Sequence, residues 1–229
     1  MRPSRAGADA RARWKPNLPR AEPGADAPEL KTGADAPELM LGAVASFEDV
    51  DAAAAHCWQL LVRASRDRRA GWRTPVLSTI GVDGAPRARV LVLRRADPAA
   101  ALLWLHTDVR SAKVAELARE KRAALTFWDA KRALQLRVEG LARIESDPAV
   151  LAEAWARVPQ ASRGSYSTVD APGRRLDGTL AFSGDGAENF AMITIRAERL
   201  DWLWLGPGRH RRGESRRVGS GWESSALVP

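Results

Sequence analysis

Arg89 and Arg94 bracket the apolar run Val90-Leu-Val-Leu93, and the polar cluster His106-Thr107-Asp-Val-Arg-Ser111-Ala-Lys113 follows shortly after. A guanidinium offers a planar fork of donors to a carboxylate or phosphate. Hydroxyls and an ammonium at a junction where a strand runs into a helix meet free backbone N–H groups and the positive end of the helix dipole. The chemistry these residue types offer is therefore anion binding, with phosphate the natural occupant. If Arg89 arrives from a neighbouring strand, each charge-assisted bond contributes roughly 1.5–3 kcal/mol. The same residues also fit an Arg89 that pairs with a carboxylate and a Ser111 that caps a helix, and spacing alone favours that second reading.

The elements that must position these groups follow from hydrophobic periodicity. Ser46 stands as an N-cap before an acidic first turn, and Val50, Ala53, Ala54, Cys57, Trp58, Leu61 and Val62 recur at helical spacing up to about Arg66. Strand periodicity takes over at Pro75–Ile80, Pro86–Arg94, Ala101–His106, Ala123–Trp128 and Ala133–Ile144, with a short helix from about Lys113. In the second of these strands alternation puts Arg89, Leu91 and Leu93 on one face and Ala88, Val90, Val92 and Arg94 on the other. Ser146-Asp-Pro148 opens a further amphipathic helix through Val158. A long Ser-, Gly- and Pro-rich loop spans 159–188, and a loop of that length is more often functional or mobile than inert. Strands at 190–195 and 200–205, a basic stretch at 209–217 and a Gly221-Trp222 element close the chain. Hairpin connections predominate, so the expected fold is mainly β with added helices, an antiparallel small barrel rather than a parallel doubly wound sheet.

The chain has 229 residues and a formal charge of +8, with 36 Lys plus Arg against 28 Asp plus Glu. Residues 1–20 carry +5 and residues 209–217 carry +4, which leaves −1 for the remainder, so the body of the protein is not basic. Neither an aromatic-interleaved platform nor a recognition-helix pattern accompanies the C-terminal arginines, and no nucleic-acid partner is expected. The solitary Cys57 excludes an intramolecular disulfide, and three scattered histidines give no zinc spacing, so no metal is expected. His56-Cys57 reads as a buried structural thiol. Without a long apolar run or a signal-peptide core, a cytoplasmic protein with no membrane segment is expected. Residues 1–43, with the repeat Gly-Ala-Asp-Ala-Pro-Glu-Leu at 24–30 and 33–39, read as a flexible tail ahead of one domain at 44–229, with Met40 a conceivable alternative start.

Taken in order, Arg89–Arg94, His106-Thr107, Ser111-Ala-Lys113, Leu125–Trp128 and Gln135–Gly140 resemble the successive FMN-binding strands of the pyridoxamine 5'-phosphate oxidase family. The resemblance runs from about residue 46 to 229 and ends in Leu200–Leu205, His210-Arg-Arg and Trp222. It implies a split antiparallel β-barrel of the FMN-binding type, working as a homodimer with FMN at the subunit interface, and a hydride passed from a small substrate, such as an amine, to flavin N5. Arg89 and Lys113 resemble the family's phosphate clamps, and Arg94 takes the place of a family lysine. Val90 and Leu91 lie along the ring, Thr107 and Ser111 serve the phosphate or ribityl end, His106 stands at an aromatic position, and Gln135 reaches the flavin. Ala112 replaces a frequent arginine. At the substrate end Ser162 is retained, Ala154 and Val158 replace a Tyr and an Arg, and Arg211 and Arg216 are candidate substrate contacts in a blurred motif. No acid or base is assigned. The resemblance thus implies an FMN-dependent oxidoreductase with an altered substrate site. A reductase of another acceptor, a non-catalytic FMN-binding protein and a basic nucleic-acid-binding barrel are the alternatives.

Overall fold

The computed structural model describes residues 47–229. The expected tail, its repeat, Met40 and the Ser46 cap lie outside the described residues. Helix α1 (Val50–Arg66) is capped instead by Asp49, whose carboxylate accepts from the N–H groups of Asp51 and Ala52 at 2.8 and 2.9 Å. Its inner face carries Ala53, Cys57, Trp58, Leu61 and Ala64 into the core.

Among the described residues nine strands form one antiparallel sheet: β1 (Val76–Ile80), β2 (Pro86–Val90), β3 (Leu93–Asp97), β4 (Leu102–Asp108), β5 (Arg122–Asp129), β6 (Leu134–Ile144), β7 (Phe190–Trp204), β8 (Arg211–Val218) and β9 (Gly221–Leu227). Helices α2 (Ala112–Arg119), α3 (Pro148–Ala156) and α4 (Gln160–Arg163) connect them. The sheet order is β2-β1-β5-β6-β7-β4-β3, with β8 on β7 and β9 on β8.

The single strand expected over 86–94 is two. Leu91 donates its N–H to the Pro75 carbonyl at 3.0 Å, one step beyond the Val76–Val90 pair, after which the chain leaves β1, and β2 and β3 lie at opposite ends of the sheet order. Two residues of chain thus join ends that no hydrogen-bond ladder closes, which makes the sheet a split barrel. Leu93, Leu105, Leu125, Phe127, Leu136 and Trp202 are among the side chains that fill its interior.

Conversely, the strands expected at 190–195 and 200–205 are one. The long β7 stays paired to β6 across a register shift at Glu139/Gly140. Glycine is required there, because a Cβ on Gly140 would come within 2.0 Å of the Arg196 carbonyl oxygen. Most of the basic stretch at 209–217 is strand β8, and the Gly221-Trp222 element begins strand β9. The 159–188 loop contains α4 and a bridge between Thr168 and Phe182. Arg110 ties it to the end of β4, donating to the carbonyl oxygens of Thr168 and Val169 at 2.8 and 3.2 Å.

Candidate functional site

Strand alternation and register bring β2 and α2 together at one mouth of the barrel. Arg89 lies opposite Leu77 on β1, so its side chain leaves the sheet on the interior face. There its guanidinium donates to Glu116 Oε2 at 2.8 Å and to the Thr79 hydroxyl, and Thr79 Oγ1 donates to the same carboxylate oxygen at 2.6 Å. Glu116 and Thr79 are buried. The ion pair that spacing favoured is therefore present.

It does not use up the positive charge. Lys113 Nζ donates to Thr107 Oγ1 at 3.1 Å, Thr107 Oγ1 lies 3.2 Å from Ser111 Oγ, and Ser111 Oγ donates to the Asp108 carbonyl oxygen at 2.7 Å. Burial, and after it the charge of Arg89, hold the Lys113 ammonium below the ordinary lysine range. Asp108 is engaged by Arg110 at 2.7 Å, which leaves Arg89, Lys113 and Glu116 as a group of net charge +1 beside two hydroxyls. Ser111 occupies the N-cap position of α2 but makes no side-chain cap bond. This junction has the charge and donors to hold a phosphate-bearing group. Sequence reasoning missed Thr79 and Glu116. The available signal was the spacing of Glu116, three residues beyond Lys113 and so on the same helix face.

Arg94 and His106 meet elsewhere, in a cavity of about 740 Å³ between β3, β4, β7, α1 and α3. Arg94 Nε and His106 Nδ1 are both buried with no hydrogen-bond partner among the described residues. The His106 ring packs edge-on against Phe190, with centroids 4.8 Å apart. Burial, reinforced by the charges of Arg94 and Arg73, lowers its pKa to about 4, so the imidazole is neutral at physiological pH. Ala154 and Val158 line the same cavity.

The remaining expected residues are dispersed. Val90 and Gln135 project from the outer face of the sheet, opposite to Arg89: Val90 pairs with Val76, and Gln135 stands between Trp128 and Leu203. Leu91 lies at the split, packed against the core. Ser162 lies in α4, its N–H on the Pro159 carbonyl. Arg211 pairs with Glu48 at 2.6 Å and Arg216 with Glu214 at 3.0 Å, and neither lines the Arg94 cavity. Arg212 joins Arg137 and Arg199 around the buried Asp201, so much of the C-terminal basic cluster is spent on acids. Trp202 and Trp204 pack with Phe47 inside the barrel, and burial pushes the Cys57 thiol up, as expected of an inert core group.

A sequence profile of pyridoxamine 5'-phosphate oxidase matches residues 63–202, more than half of the chain. The chain belongs to the pyridoxamine 5'-phosphate oxidase family. Within the family, it is similar to a pyridoxine/pyridoxamine 5'-phosphate oxidase of Thermosynechococcus vestitus, 31% identical over 169 residues that cover 67% of this chain and 77% of that one. A pyridoxine/pyridoxamine 5'-phosphate oxidase of Anaeromyxobacter dehalogenans is also 31% identical, over 67% of this chain and 83% of the relative. Among solved structures, a pyridoxamine 5'-phosphate oxidase-related, FMN-binding protein from Nostoc punctiforme shares the fold at a TM-score of 0.63 and 22% identity, covering 77% of this chain and 96% of that one. PhzG from Burkholderia lata shares it at 0.62 and 17%, covering 80% and 96%. Family membership supports a flavin-related oxidoreductase. No helix among the described residues is long and apolar enough to cross a membrane.

Proposed function

We propose that this protein is an FMN-dependent oxidoreductase that works as a homodimer on a small substrate such as an amine. The observation that carries the proposal is the convergence of Arg89 and Lys113 with Thr107 and Ser111 at the β4–α2 junction. The fit to FMN rests on charge and donors. A phosphate group finds two cations, two hydroxyls and a helix N-terminus, with the buried Glu116 anchoring one cation from behind.

In this reading Arg89 and Lys113 hold the phosphate, Thr107 and Ser111 serve it or the ribityl chain, and the Val90-Leu91 backbone runs beside the ring. Gln135 of the same chain faces the opposite side of the sheet, so the glutamine that reaches the flavin comes from a second copy. The outer face carries exposed Trp128 directly opposite Gln135, and exposed Val90 on the same face three strands away, apolar surface suited to such a contact. When bound, FMN supplies a hydride acceptor at its N5. The protein's own part is to bind the phosphate, fix the ring against strand backbone and keep water from the barrel mouth.

Purified protein is expected to be yellow, or to become so on addition of FMN, and to bleach under anaerobic conditions with a reduced substrate drawn from a panel of amines. Colourless protein that takes up no FMN would overturn the reading. FMN that binds tightly yet is bleached by no substrate, and is reduced only by a nicotinamide donor, would move the protein to the reductases.

A further inference from the structure

The cavity behind Arg94 sets one half-buried guanidinium, unpaired among the described residues, against a largely apolar wall. Of the four arginines that line it, Arg95 is paired with Asp97 at 3.2 Å and lies over Trp104, Arg157 is paired with Glu153, and Arg66 is exposed at the rim. Arg94 alone is half-buried with no carboxylate in ion-pair reach among the described residues, and its Nε is buried without a partner. A half-buried guanidinium without a counter-charge is a ready partner for an anion. Beside it, the neutral His106 leaves Nδ1 free for one more hydrogen bond. Much of the remaining wall is apolar, with Ala96, Val150, Ala154, Val158 and Met192.

We infer that this cavity takes a carboxylic acid with an apolar body, its carboxylate forked on Arg94, its body against Ala154, Val158 and Met192, and a polar substituent within reach of His106. A guanidinium and a carboxylate match bond for bond and cancel in charge. A phosphate dianion in the same place retains one negative charge that Arg94 alone does not cancel, since Arg95 and Arg157 are already paired with Asp97 and Glu153. The volume of about 740 Å³ suits a small organic acid. The inference rests on the flavin reading only for what happens to the acid afterwards, because the cavity is distinct from the Arg89–Lys113 junction.

The test is calorimetric titration of the full chain, with and without added FMN, using benzoate, phenyl phosphate and benzyl alcohol as probes. Benzoate is expected to bind, with phenyl phosphate weaker and benzyl alcohol weaker by about tenfold or more, since it forfeits the ion pair. Arg94→Met should weaken benzoate by about tenfold or more. Ala154→Trp, which fills the apolar side and leaves Arg94 in place, should abolish binding and guards against misfolding of the first variant. No binding of benzoate, tighter binding of phenyl phosphate, or undiminished benzoate binding by Arg94→Met would each overturn the inference. FMN uptake is read separately from absorbance. Benzoate bound through Arg94 by protein that refuses FMN defeats the flavin reading alone, and FMN uptake without benzoate binding defeats this inference alone.

Discussion

The Arg89 guanidinium donates to the buried Glu116 carboxylate at 2.8 Å, so a cation at the mouth of the barrel is oriented by an acid from the very helix whose N-terminus borders the proposed anion site. The pair does two things at once. It fixes the direction of the fork, and it lowers the positive charge that an incoming phosphate meets.

Those two effects separate by substitution. Arg89→Ala should weaken FMN binding about 10- to 100-fold, the loss of a charge-assisted contact of roughly 1.5–3 kcal/mol. Glu116→Gln keeps an acceptor oxygen for Arg89 and Thr79 but removes the negative charge, and should tighten FMN while leaving riboflavin, which has no phosphate, unchanged. Quenching of flavin fluorescence during titration measures both. An Arg89→Ala protein with wild-type FMN affinity would show that the ion pair serves the fold alone.

Lys113 should make the proposed anion site sensitive to alkali. Burial and Arg89 lower its pKa, so in the flavin-free protein it loses its proton at a lower pH than an ordinary lysine. Phosphate binding needs the charged form, and FMN affinity should therefore fall as pH rises through this lowered value. Lys113→Arg, with a side chain that stays charged, should flatten that limb. FMN dissociation constants measured from pH 7 to pH 10 check the slope.

His106 produces a stability slope on the acid side. Its folded pKa of about 4 lies below the unfolded value of 6.5, so the unfolded chain binds the proton more readily. Stability is whole above about pH 6.5 and is lost as pH falls toward 4, by an amount on the order of 1–3 kcal/mol. His106→Phe preserves the edge contact with Phe190 and should remove most of that loss. Urea midpoints at pH 4.5 and pH 7 for both proteins decide it: an equal drop in both would assign the acid sensitivity to other groups.

The turn between β5 and β6 carries a strained residue. Ala133 sits at φ 47°, in the left-handed region, while its carbonyl accepts from the Leu205 N–H at 2.8 Å. A non-glycine residue there costs about 1–2 kcal/mol, partly offset by the greater chain entropy that glycine loses on folding. Ala133→Gly should raise stability by up to about 1 kcal/mol, a shift of a few degrees in Tm. A lower Tm would mean that Ala133 contributes more by packing than its backbone costs.

Local physics was legible in the chain itself. Period-two alternation marked β1, β4, β5 and β6 to within about two residues, the Asp147-Pro148 start of α3 was written in its capping chemistry, and five motifs in order pointed to the family. The cations and hydroxyls at the strand–helix junction were legible as a candidate anion site, alongside the ion pair of Arg89 that the structure contains. What depended on contacts between distant segments was not legible. The break at Leu91 has no local signal, because both halves of 86–94 are good strand sequence and only the need to join opposite ends of the sheet separates them. The union of the two halves of β7 depends on Gly140 of another strand. Glu116 is an unremarkable helix residue until β2 delivers Arg89 to it, and Arg211 and Arg216 looked available until Glu48 and Glu214 engaged them. Periodicity and capping report the energetics of a few neighbouring residues, whereas the pairing of charges across a barrel is decided only when the whole sheet has curled and brought them within reach.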